Sequence, residues 1–172
     1  MENNNNPFGL RPTLRDLGGG ESMIMWLKKL AAYGTALFMH DAVARNASGG
    51  LDKVITPGTT LYSGVVLQGG AASTETNHSV IVSPTAVFET QSSGAFAEVD
   101  EGLNANLTLG AGSATTGLSG HQMDYSTIAG TAGLDVHVHQ AVKDPTNEFG
   151  NYCRVLVTFN KHRNSPSSVA GI

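Results

Sequence analysis

From residue 35 onward the chain repeats one pattern: a short apolar or alternating run, then a cluster of Gly, Pro, Asn or Ser. "TALFMHDAVA" is apolar and ends in the turn cluster "RNASGG". "LDKVI" leads to "TPGTTLYSGVVLQGG", where Pro57-Gly58 opens a turn and β-branched and aromatic residues follow. "HSVIVSP" and "TAVFETQ" flank Pro84, which has no N–H for a central ladder. "AFAEVDEGLNANLTL" alternates most clearly over 104–109, and "HQMDYSTI" and "LDVHVHQAV" alternate again. "CRVLVTFNKH" closes the series with β-branched residues. Short strands between Gly- and Pro-rich turns predict an all-β fold, a compact β-sandwich or β-barrel of short antiparallel strands. After residue 34 no amphipathic run is long enough for the helices of an α/β protein.

The first third reads differently. Residues 1–22 predict an extended N-terminal arm: "ENNNN" is unpatterned, Pro7 and Pro12 interrupt pairing, and Gly18-Gly19-Gly20 forms a hinge. "SMIMWLKKLAAYG" fits two templates. Met23, Trp26, Leu27 and Leu30 follow helical spacing, whereas Ile24, Trp26 and Lys28 share one strand face. Trp26, inside an apolar stretch, reads as structural. The β domain spans 23–163, and 164–172 is a C-terminal tail with no core pattern until its apolar end.

Composition narrows the functions. With 172 residues the chain is long enough for one domain with a real core. Ten basic and 14 acidic residues give a net charge of −4, which argues against a sequence-independent nucleic-acid surface and a polybasic membrane contact. Charged residues make up 14% and glycines number 21, against about a quarter charged in an ordinary soluble protein. A weakly charged surface of small residues points to extensive protein contacts. The opening has no secretory pattern and no run spans a bilayer, so synthesis and folding in a cytoplasm are expected.

Candidate chemistry is sparse. His137 and His139, two apart on a strand, point to one face as two metal ligands should, with His121, Asp124, Asp135 or His162 as candidate third ligands. Alternating polar residues on a solvated face explain the pair better, because no recognisable partner motif accompanies the two histidines, and no metal is expected. "GAGSATTG" fits no phosphate-loop spacing. Glu98 and Asp100 fall on one strand face, but acids adjacent in sequence near a turn are ordinarily solvated. Cys153 reads as a small buried side chain, and no G-x-S-x-G elbow accompanies the serines. No enzyme and no cofactor is expected.

Several pieces, in order along nearly the whole chain, resemble one family. Asn6-Pro7-Phe8-Gly9-Leu10-Arg11-Pro12 and Ala170-Gly171-Ile172 match its ends. "TALFMHDAV" resembles its first core strand, and "TAVFETQSSGAFAEVDEGLNANL" its central V-F-E-x-Q…G-x-N stretch. "GSATTGLSGHQMD" and "DPTNEFGNYCRVLVTFNKH" resemble its two later segments. The family is the head decoration (capsid cement) proteins of tailed bacteriophages. Against its pattern, "QGGAASTETNHS" is short and "MIMWLKKL" more hydrophobic than the matching stretches.

The resemblance implies a structural virion protein on the outer capsid surface that bridges major capsid protein subunits and stabilises the expanded shell. It also implies a homo-oligomer, a trimer first and a dimer as the alternative. In that setting the arm would be stapled onto a neighbour through Pro7, Phe8, Gly9, Leu10, Arg11, Pro12 and Arg15. Phe8 and Leu10 would fill pockets, and the arginines would meet carboxylates. The tail residues Val169, Ala170, Gly171 and Ile172 would make a second contact. The different-class alternative is a virion-displayed β-sandwich module binding carbohydrate or a host surface.

Overall fold

The computed structural model describes residues 3–54, 56–58 and 61–165. Among them every regular element is a strand except one short 3-10 turn, Glu98–Asp100. The expected tail contacts Val169, Ala170, Gly171 and Ile172 lie outside the described residues. Two antiparallel sheets face each other as an open sandwich, and a separate two-stranded ribbon is built from two connections of the larger sheet.

The six-stranded sheet runs β1-β7-β13-β11-β9-β10. Its strands are β1 (Arg11–Asp16), β7 (Ala86–Gln91), β9 (Asn104–Gly110), β10 (Gly120–Ala129), β11 (Val136–Ala141) and β13 (Arg154–Phe159). The five-stranded sheet runs β2-β6-β5-β3-β4. It is built from β2 (Ile24–Lys29), β3 (Ala42–Arg45), β4 (Leu51–Lys53), β5 (Gly64–Val66) and β6 (Thr76–Ile81). The short β8 (Ala95–Phe96) and β12 (Gly150–Asn151) pair with each other.

Two cores follow from the period-2 geometry of strands. The main core lies between the sheets. Phe88, Val155, Val157, Val136, Val138, Leu107 and Met123 come from one side, and Ala42, Val65 and Ile81 from the other. Tyr62 stacks on Phe159 there, with ring centroids 4.5 Å apart. The second core lies on the other face of the five-stranded sheet, where Val43, Val66 and Val80 meet Leu27, Leu37, Leu51 and Val82. Adjacent residues such as Val65 and Val66 therefore feed different cores. That is the physical reason "GVVL" and "SVIV" read as continuous apolar runs instead of alternating ones.

An ion cluster joins the layers. Asp41, fully buried before β3, lies 3.1 Å from Lys53 Nζ and 3.6 Å from His121 Nε2 on β10. Its other oxygen accepts the Phe38 N–H at 2.8 Å. The Ala42 N–H donates to His121 Nδ1 at 3.3 Å. Burial lowers the His121 pKa to about 4, against the pull of Asp41.

Candidate interaction surface

The N-terminal segment is part of the domain. Asn6 N–H donates to Gln91 Oε1 at 3.0 Å, and Gln91 Nε2 returns a bond to the Asn4 carbonyl at 2.8 Å. Phe8 offers its carbonyl to His40 Nδ1 at 3.0 Å, and Leu10 N–H donates to the His40 carbonyl at 3.1 Å. Gly9 has φ +78° and is pressed so close that a Cβ would lie 2.5 Å from Ser119 Cβ. Leu10 is fully buried in the main core. From Arg11 the chain pairs with β7, in register Arg11↔Glu89 and Pro12↔Phe88.

This corrects the expectation of a free arm. Leu10 and Gly9 are consumed by the chain's own core and cannot fill a neighbour's pocket. Arg11 pairs with Glu89, which Arg154 also approaches at 3.3 Å, and its guanidinium lies 5.0 Å from the centroid of the Phe8 ring. Pro7 and Phe8 are half-buried, and Arg15 is exposed opposite Glu21. Pro12 does not prevent pairing because β1 is an edge strand, where a proline is tolerated, and Pro7 lies outside the strand. The register breaks between Pro12 and Asp16, and Leu14 adopts φ 61°.

The apolar surface lies farther along. Among the described residues Leu14, Leu17, Met23, Ile24, Met25 and Trp26 are exposed large hydrophobics, Trp26 at 66% of its surface. Ser22 N–H donates to the Leu14 carbonyl, so the glycine-rich turn folds the two halves of this stretch together. Trp26, expected to be structural, is therefore a surface residue. The segment is a strand because only one side of it is covered: Leu27 and Lys29 point inward, while Ile24, Trp26 and Lys28 point out.

β2 is the edge of its sheet. The Met23 carbonyl accepts the Val82 N–H at 2.9 Å, so the odd-numbered residues bond toward β6. The backbone N–H and C=O groups of Ile24, Trp26 and Lys28 consequently face away from the sheet. On the other face of the strand from Ile24 and Trp26, a cavity of about 300 Å³ is lined by Met25, Leu27, Val82, Ser63, Arg45, Arg163 and Asn164.

The remaining candidates are occupied by structural bonds. His137 and His139 do share a face, with ring centroids 4.7 Å apart. His137 Nδ1 meets Asn104 Oδ1 and His139 Nε2 meets Thr158 Oγ1, each at 3.0 Å. Burial, and then His137 itself, lower the His139 pKa. The residues considered as a third ligand lie elsewhere. His121 belongs to the Asp41 cluster, and Asp135 accepts the Gly58 and Leu107 N–H groups. Asp124 accepts from Ser126, and His162 Nδ1 accepts the Asn164 N–H. No group of three or more His, Cys, Asp or Glu side chains is placed to hold a metal ion among the described residues. Glu98 and Asp100 fall in the 3-10 turn rather than on a strand; Asp100 accepts the Ala97 N–H at 2.9 Å. Cys153 is fully buried, and burial pushes its thiol pKa up.

No helix among the described residues is long and apolar enough to cross a membrane. No protein-family model, curated protein or solved structure matches the chain.

Proposed function

We propose that this chain is a structural protein of a phage particle. It binds the outer surface of the expanded capsid and stabilises it by bridging major capsid protein subunits. The resemblance of the chain's ordered segments to head decoration proteins supports this role. The structural observation that carries it is the exposed apolar stretch from Leu14 to Trp26, ending on an unpaired strand edge. Contiguous exposed apolar surface of this kind marks contact with another macromolecule. Each contact can be weak, because copies held in an oligomer on a lattice bind through effective concentration. A homotrimer fits a threefold lattice position and a dimer a twofold one.

The test is co-sedimentation with expanded heads of the source virus that lack the protein. Saturable binding in a fixed ratio to shell subunits, with heads that resist heating better, is the expected result. Absence of binding removes the role.

One observation favours a second reading, a carbohydrate- or host-surface-binding module: Trp26 is exposed enough to stack on a sugar ring. Quenching or blue-shift of Trp26 fluorescence by surface glycans, without head binding, would select it.

A further inference from the structure

Resting on the capsid-binding role, we infer that β2 is completed on the particle by an extended, acidic and apolar segment of a shell subunit, which adds as a new strand along its open edge. Three features converge on that occupant. The first is backbone chemistry. The N–H and C=O groups of Ile24, Trp26 and Lys28 point away from β6, on the side where no strand hydrogen-bonds to β2. A strand added there gains a ladder and sends its side chains alternately to the two faces.

The second is shape. One set of those side chains enters the cavity of about 300 Å³ beside Met25 and Leu27, whose floor continues into Val82. The other set lies over Ile24 and Trp26, which are 48% and 66% exposed. A segment with apolar residues at alternate positions covers both.

The third is charge. Arg45 and Arg163 line the same cavity, are exposed, and pair with no carboxylate among the described residues. By contrast, Arg11 and Arg154 meet Glu89, and Lys28 meets Glu75 at 2.7 Å. In a chain of net charge −4, two unpaired guanidiniums beside an apolar floor select carboxylates on the incoming strand. They also disfavour a second copy of β2, whose own charges are Lys28 and Lys29.

The test separates backbone pairing, charge and the underlying role. Full-length protein and three variants are titrated against expanded heads, with folding checked by thermal melting. Ile24→Pro deletes one outward N–H that β6 does not use, and Ile24→Ser removes the side chain but keeps the N–H. Arg45→Glu with Arg163→Glu reverses the cavity charge. The expected result is at least tenfold weaker binding for Ile24→Pro than for Ile24→Ser. The double charge reversal is expected to bind at least tenfold more weakly and to lose the salt dependence of the parent. If the parent binds heads and all three variants bind equally well, strand addition is wrong while the capsid role stands. If the parent itself does not bind, the capsid role fails. If the parent forms a dimer that Ile24→Pro alone abolishes, with head binding unchanged, the occupant is a second copy and the inference is overturned.

Discussion

Each sheet ends on an edge strand drawn from the first thirty residues, and the two edges are treated in opposite ways. β1 is sealed. Pro12 removes a donor, Arg11 and Arg15 put charge on the strand, and the register breaks around Leu14. These are the devices by which proteins keep a sheet edge from recruiting another chain. β2 has none of them over Ile24-Met25-Trp26, and its charges begin only at Lys28. The strand that resembled an adhesive arm in the sequence is thus integrated and protected. The strand whose apolar sequence read as structural is exposed and unprotected over Ile24-Met25-Trp26. On the proposed capsid role, the edge left without these devices is the one that meets a partner.

The largest effect that could break this contrast is acid. Burial holds His121 and His162 near pKa 4, whereas in the unfolded chain they titrate near 6.5. The unfolded chain takes up protons below pH 6.5 that the folded chain refuses until about pH 4. Stability is therefore full above pH 6.5 and falls as the pH drops toward 4, by up to about 3 kcal/mol for each histidine. Urea unfolding at pH 7.5 and 4.5 reads this directly.

Next comes the anchor of the sealed edge. Leu10→Ala should cost about 2–5 kcal/mol, the range for emptying a buried leucine site. A fall in the urea midpoint of less than a tenth would show that the segment does not belong to the fold. Gly9→Ala, which strains a left-handed residue against Ser119 and His40, should cost about 1–3 kcal/mol. Arg11→Ala should cost less than about 1 kcal/mol, with the difference shrinking in high salt, because the pair with Glu89 is partly exposed. Smallest of all is the stability change for Trp26→Ser, within about 0.5 kcal/mol, since the side chain packs on little. Its effect belongs to association instead.

Most strands were legible because alternation and turn residues report burial on one face, as in "LDVHVHQAV" and β11. Three features were not. The pairing of β1 depends on a free edge at β7, more than seventy residues away, and no local pattern announces that. β2 fitted helix and strand alike, because an edge strand with a short covered side leaves too few constrained positions to fix a period. The Asp41–Lys53–His121 cluster draws on three distant segments, each with one unremarkable polar residue. For the site, Arg11 and Phe8 are expected to contact a neighbouring chain, whereas the contacts seen are internal, to Glu89, to each other and to His40. Trp26 was visible as an anomaly through the unusual hydrophobicity of "MIMWLKKL". What would have identified it as surface was the absence of any matching apolar run to cover it.

Deleting residues 1–20 would remove Leu10 and β1 together, so it cannot isolate an adhesive segment. The most direct measurement is quantitative co-sedimentation of the full chain and its Trp26→Ser variant with expanded heads lacking the protein, at matched folded concentration. The expected result is saturable binding by the parent and at least tenfold weaker binding by the variant at unchanged thermal stability. Equal binding by the two would contradict it and move the adhesive surface away from β2.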